Sequence, residues 1–138
     1  MFQQILTFTT QGRKLHNITS EIDNYITAIG ITNGFCNIFL QHTSASLILC
    51  ENDDPQVQQD LETFLSNLVK DGDSRFLHNA EGPDDMSAHI RSVLTQNSLG
   101  VPIQQGHLAL GTWQGIFLWE HRFAAFQRKV IITVIAYS

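Results

Sequence analysis

The sequence predicts an α+β fold: one domain spanning residues 1–138, an antiparallel-rich β-sheet or sandwich carrying three helices. Apolar residues recur at helical spacing in three separate stretches, and short β-rich runs lie between them. Four further β-like runs follow the third helical stretch in close succession. With 138 residues and 43% apolar content, there is material for one core, and two independent domains are not expected.

Phe2 to Thr9 alternates its side chains and is rich in β-branched and aromatic residues, so it reads as a strand. Gln11-Gly12 then supplies a turn into a short second strand through Leu15, and the pair is expected to form a hairpin. From Ile18 the apolar residues fall at Ile18, Ile22, Tyr25, Ile26 and Ile29, the stripe of an amphipathic helix. Ser20 and Asp23 resemble a capping box, and Gly30 a C-terminal stop.

Phe35 to Gln41 and Ala45 to Cys50 are β-rich runs separated by His42-Thr43-Ser44, which suggests a hairpin centred near Thr43 with Cys36 and Cys50 on facing strands. Two cysteines are too few for a disulfide scaffold and lack the Cys-x-x-Cys spacing of a zinc ribbon, so both are expected as buried, reduced thiols. Asp53-Asp54-Pro55 reads as an N-cap followed by proline in the first helical turn. A second helix is expected from about Pro55 to Val69, with Val57, Leu61, Phe64, Leu65 and Leu68 on its apolar face.

Lys70 to Ser74 forms a polar break, and Phe76 to Pro83 has no clear period, as expected of a loop wrapped over something. Asp84-Asp85 can cap a third helix whose shared face is Met86, Ile90, Val93 and Leu94, with His89 one turn after Asp85. Strands are then expected at Val101 to Gln104, His107 to Thr112, Gly115 to Glu120 and Arg128 to Tyr137. The last is apolar on both sides at Val130, Ile131, Ile132, Val134 and Ile135, so it should be central and covered by helices or by another subunit.

Eight basic against thirteen acidic residues, a net charge of −5, leave no basic face for a phosphate backbone, so nucleic acid is not an expected partner. The longest apolar stretches, such as Val130 to Ala136, are far shorter than the ~20 residues of a membrane-spanning helix, and no membrane partner is expected. Met1-Phe2-Gln3-Gln4 lacks the basic and apolar regions of a secretory signal, so a cytoplasmic location is expected.

Six histidines are the chemical anomaly, because none forms a local metal motif and any site must be assembled by folding. His42 at the strand turn, His78 in the irregular loop and His89 beside Asp85 lie where side chains can converge on one ion. A carboxylate, Asp85 or Glu81, can fix an imidazole tautomer from behind, and three histidines with an open position suit zinc. Spacing alone favours solvated or hydrogen-bonded histidines. His16 and His107 have no carboxylate near in sequence, whereas Glu120 and Arg122 flank His121.

His42-Thr43-Ser44-Ala45-Ser46-Leu47, Glu51-Asn52-Asp53-Asp54-Pro55, the run His78 to Ile90, and Leu110 to Ile116 with Glu120-His121-Arg122 resemble the signature blocks of the YjbQ-like family, in its order and spacing. The resemblance covers nearly the whole chain. It implies a compact α+β protein, a homotrimer, and a metal held by histidines, with a frequent label as secondary thiamine-phosphate synthase. Carried over residue by residue, it implies His42, His78 and His89 as metal ligands, with Asp85 as their partner or as a further ligand.

Thr43, Ser44, Ser46 and Asn52 offer short polar groups for a small anionic metabolite, although strand turns favour such residues anyway. Thr112, Gln114, Glu120 and Arg122 are candidates for a second wall, with Arg122 as an anion clamp or, more plainly, a surface ion pair with Glu120. Trp113 and Trp119 read as core or interface residues. Glu51, Glu81 and His121 complete the candidates as catalytic groups.

The synthase reading joins a pyrimidine diphosphate to a thiazole phosphate and calls for an ion such as magnesium to neutralise the departing diphosphate. Magnesium prefers oxygen ligands, however, and there is no Gly-rich phosphate loop. A zinc-dependent hydrolase of a small phosphorylated or acylated compound, with Glu81 or Glu51 as base, fits three histidines more naturally. The non-enzymatic alternative is a trimer that binds a small anionic metabolite or stores metal.

Overall fold

Alternating burial along the strands sorts the chain into two antiparallel sheets. The computed structural model describes residues 1–137, in the order β1 (Phe2–Gln11), β2 (Lys14–Asn17), α1 (Thr19–Ile29), β3 (Gly34–Leu40), β4 (Ala45–Glu51), α2 (Pro55–Leu68), α3 (Asp85–Leu94), β5 (Ser98–Gln104), β6 (His107–Leu108), β7 (Gln114–Glu120) and β8 (Ala125–Ala136). One sheet has the order β1-β8-β3-β5-β6 and the other β2-β7-β4. The α+β expectation, with three helices and antiparallel strands, matches this architecture.

Between the sheets lie Cys36, Ile38, Val101, Ile103, Leu118, Val130, Ile132 and Val134, with Ile22 and Ile26 of α1 closing the core. On the far side of the three-stranded sheet, Leu65 and Val69 of α2 and its C-cap pack on Leu15, Phe117 and Trp119. Helix α1 ends as expected at Gly30, whose φ of 71° is a left-handed geometry that favours glycine. Its start differs from expectation: Asn17 Oδ1 accepts from Thr19 N, and Asp23 turns away to accept from Leu108 N and His107 Nδ1. Helix α2 is capped as expected, with the Asp54 side chain accepting from Gln56 N and Pro55 opening the helix.

Neither expected hairpin forms. β1 pairs along its length with β8, and β2 pairs with β7 in the other sheet. Likewise β3 lies between β8 and β5, while β4 pairs with β7. Three of the passages from one sheet to the other are therefore the short ones at 11–14, at 41–44 and at 121–124. All three crossings meet at one corner, because Gln11 faces Ala125, Leu40 faces Val130, and both Lys14 and Ala45 face Glu120. Arg13 staples two of them, its Nε donating to the His121 carbonyl at 2.8 Å. Cys36 and Cys50 consequently lie in different sheets and are free thiols.

β8 is central, as its composition suggests. Its inner residues Val130, Ile132 and Val134 are fully buried, but among the described residues no helix packs extensively on β8, whose outer face carries Ile131 and Ile135. Helix α3 departs furthest from its sequence pattern. It buries Asp85, Ser87, Ala88 and Arg91, while Val93 is 83% and Leu94 55% exposed. Its polar side faces inward because Glu62, Ser66 and His121 wait there to bond Arg91. Among the described residues no helix is long and apolar enough to cross a membrane.

Candidate metal centre

Asp85 opens α3 and His89 follows one helical turn later, which puts both side chains on one face. The irregular loop brings in His78. Asp85 Oδ2 stands 2.6 Å from His78 Nε2 and 3.2 Å from His89 Nε2, and the three donor atoms all lie within 4.8 Å of one another. Ligands on adjacent positions around an ion with bonds of roughly 2.0–2.1 Å are themselves about 3 Å apart; the His89 pair has that spacing, while the His78 pair is at hydrogen-bond length and would open by a few tenths of an ångström around a cation.

The surroundings orient each donor. His89 Nδ1 lies 3.1 Å from the Thr43 carbonyl, which can only accept, so Nδ1 carries a proton, and Nε2, turned toward Asp85, is the nitrogen that would offer its lone pair to an ion once deprotonated. Arg122 Nη1 donates to Asp85 Oδ1 at 2.8 Å, leaving Oδ2 for the two imidazoles. Burial alone would raise the Asp85 pKa. His78 and Glu81, then the charges of Arg122 and His89, outweigh it and hold the carboxyl below its ordinary value. Two imidazoles and one carboxylate form a donor set used by catalytic zinc and, as a facial triad, by non-haem iron. The Asp85 side chain is 3% exposed while His78 is 47% and His89 32%, so the cluster is anchored on the protein side and open on the other.

His42, expected as a third imidazole ligand, is not among these groups. Its Nε2 accepts from Lys129 N at 2.8 Å and its Nδ1 lies beside Arg128, so backbone pairing at the crossing fixes the ring. Asp85, expected as a partner of the ligands or as a further ligand, turns its Oδ2 toward both His78 and His89. Arg122 is not an open anion clamp: its Nε goes to Asp84 and its Nη2 to the Glu81 carbonyl, besides the bond to Asp85. Glu120 pairs with Arg128 rather than with the Arg122 side chain, giving Arg122 only an acceptor for its backbone N–H. Glu81 is exposed beside Asp85 and Arg122.

Thr43 and Ser44 stay near the site, Thr43 through its carbonyl and Ser44 through a buried hydroxyl that accepts from Arg128. Ser46 and His121 are fully buried against each other behind it. Glu51, Asn52, Thr112 and Gln114 gather at the opposite end of β4, where Glu51 Oε2 accepts from Asp54 N and Asn52 Nδ2 donates to the Thr112 and Gln114 carbonyls. A strand advances ~3.3 Å per residue, so the six steps from Ala45 to Glu51 carry them roughly 20 Å away.

Two arginines at the corner have no counterpart in the sequence-based site. Arg91 is fully buried: Nη2 bonds both Glu62 oxygens at 2.6 and 2.8 Å, and Nε donates to His121 Nδ1 at 3.0 Å. Arg128 binds Glu120 through Nε at 2.8 Å and Nη2 at 2.5 Å, and Thr10 Oγ1 donates to Glu120 from the other side. Arg128 did leave a trace in the sequence, a charge in phase with the inward residues Val130, Ile132 and Val134 of a strand.

Comparison with known proteins agrees with this architecture. The family profile described as UPF0047 protein YjbQ-like matches residues 4–137. The chain is 52% identical to a UPF0047 protein of Synechocystis sp., covering 96% of this chain and 90% of that one. It is 42% identical to the UPF0047 protein YjbQ of Escherichia coli O157:H7, with 96% of each covered. Among solved structures, a conserved hypothetical protein of Thermus thermophilus aligns with a TM-score of 0.87 at 30% identity over 96% of this chain and 99% of its own. An uncharacterised YjbQ/UPF0047 protein of Clostridium acetobutylicum aligns at 0.84 and 29% identity, over 98% and 100%.

Proposed function

The chain belongs to the UPF0047 YjbQ-like family, and from that premise and its corner geometry we propose a metal-binding protein centred on His78, Asp85 and His89 that acts on a small anionic compound. The observation that carries this reading is the convergence of both Nε2 atoms on Asp85 Oδ2. Imidazole donors favour zinc or a similar transition ion over magnesium. When bound, such an ion would supply Lewis-acid polarisation and a lowered pKa for water. Asp85, fixed by Arg122, and His89, fixed by the Thr43 carbonyl, would hold it. Exposed Glu81 is the carboxylate placed to take a proton beside them.

Hydrolysis of a phosphorylated or acylated compound uses these parts as they stand. The thiamine-phosphate synthase reading needs an ion with oxygen ligands and several donors for a diphosphate, so we rank it second; if no reaction occurs, the same site serves as a store or sensor of metal.

Equilibrium dialysis of chelator-treated protein against zinc, followed by elemental analysis, tests the centre. One equivalent per chain is expected, with loss in both His89→Ala and Asp85→Asn, each of which removes a proposed ligand. Full zinc content in both variants would remove the proposal. Assays with metal-free and reconstituted protein on phosphate and acyl esters and on the two synthase substrates then separate the reactions.

We also propose a homotrimer. The outer face of the five-stranded sheet carries Ile5, Ile131 and Phe39 in one row of paired residues and Ile135 and Phe35 in another, and among the described residues no helix packs extensively on these strands. A second copy of the chain would cover this apolar surface. Light scattering at micromolar concentration should give three times the chain mass, and a monomeric mass would end this proposal.

A further inference from the structure

The crossing that carries His42 leaves two hydrogen-bond donors facing each other. Lys129 N donates to His42 Nε2 at 2.8 Å, so that nitrogen holds a lone pair. A neutral imidazole with its lone pair on Nε2 carries its proton on Nδ1. A charged imidazole has no lone pair for Lys129, and burial, then the charges of Arg128 and Lys129, favour the neutral ring. The atom 3.4 Å from Nδ1 is Nη1 of Arg128, which also can only donate.

Arg128 cannot turn elsewhere. Its side chain is 4% exposed, Nε and Nη2 are committed to the two Glu120 oxygens, and Nη2 also donates to Ser44 Oγ at 3.0 Å. Among the described residues, Nη1 has no other partner than the His42 nitrogen that cannot accept. A buried guanidinium nitrogen and an N–H aimed at the same point call for an oxygen about 2.9 Å from each.

His42 also lines a hollow of about 270 Å³, together with Thr43, His89, Ser92, Val93 and Asn97, while Arg128 stands behind the His42 ring. His89 connects the two features, since its Nε2 faces Asp85 while its ring forms part of this wall. We propose that His42 Nδ1–H and Arg128 Nη1–H form an oxyanion subsite that binds a phosphate or carboxylate group of the compound presented to the metal centre. The proposal deepens the functional reading above, yet the donor pair exists without any ion. It gives His42 the role of anchoring the anion and takes it out of the metal's ligand set.

The test is made on chelator-treated full-length protein, so that it does not depend on zinc. Long-range proton–nitrogen NMR should find His42 with its proton on Nδ1. Titration with inorganic phosphate and, separately, acetate should shift the His42 nitrogens at millimolar concentration, while equal ionic strength of sodium chloride should not. Tighter phosphate binding marks a phosphoryl group and tighter acetate binding a carboxylate; either supports the subsite. His42→Gln keeps an acceptor for Lys129 N but loses the Nδ1 donor, and should weaken binding about tenfold, the effect of one hydrogen bond to a charged ligand. His42→Asn restores a donor near Nδ1 and should remain within about threefold of wild type. Both variants should keep full zinc content on reconstitution. A proton on Nε2, no response to either anion (a water only), or zinc loss in His42→Gln would each overturn the subsite; failure of zinc binding in the unmodified protein would overturn the metal reading alone.

Discussion

Arg91 Nε donates to Nδ1 of His121 across 3.0 Å, and neither residue is exposed to water. A guanidinium cannot accept, so the His121 proton must sit on Nε2, where Ser46 Oγ receives it at 2.8 Å. This order excludes His121 as a base toward Ser46. Burial, then the charges of Arg91, Arg13 and Arg128, push its pKa down to about 2.

That depression has a sign that stability can report. Folding favours the neutral ring, so the stabilisation is complete above the ordinary histidine value near 6.5 and is lost as pH falls toward about 2. His42 and His16, both shifted down first by burial, act in the same direction. Urea titrations of metal-free protein should show roughly 2 kcal/mol less stability at pH 5 than at pH 7 from His121 alone. His121→Gln should flatten this slope, and an unchanged slope would contradict the buried neutral ring.

Glu62 accepts from three donors: Arg91 Nη2, which reaches both of its oxygens, Trp119 Nε1 at 3.0 Å and Ser66 Oγ at 2.6 Å. Glu62→Ala leaves the fully buried Arg91 without its counter-charge and should cost about 3 kcal/mol. A denaturant midpoint close to wild type would show that the pair is solvated in the native protein.

Helix α2 offers a contrast between neighbours. Leu65 is 6% exposed and Phe64 69%. Leu65→Ala should destabilise by about 2–4 kcal/mol, and Phe64→Ala by ~0.5 kcal/mol or less. Equal losses by thermal or urea unfolding would mean that Phe64 is covered in the assembled protein.

Arg122 touches Asp85 through a single bond and Asp84 and the Glu81 carbonyl through two more. Arg122→Met should therefore keep all three proposed ligands but weaken zinc binding about tenfold, through loss of carboxylate orientation. Zinc content should also fall as pH is lowered, because protons compete for the same lone pairs. Competition titration with a chromophoric chelator measures both effects.

By itself the sequence determined the elements whose stability is local or strongly patterned. The Ile22 and Ile26 stripe with Gly30 marks α1, Asp54-Pro55 opens α2, the apolar run of β8 points to a central strand, and the spacing of Asp85 and His89 already makes them neighbours. Pairing partners were decided only in three dimensions. The strand runs on either side of Gly12 and of Thr43 read as hairpins because proximity in sequence is the only pairing signal a single chain offers, yet β8 and β7 present longer apolar surfaces and draw the two halves into different sheets. The same crossings decided the site. They tie His42 to Lys129 N, turn the polar side of α3 inward onto Glu62 and His121, and leave Asp85 as the group that both His78 and His89 can reach. Hydrophobic spacing records which residues can be buried; it does not record that a buried arginine with its acceptors in place can take that position from valine and leucine.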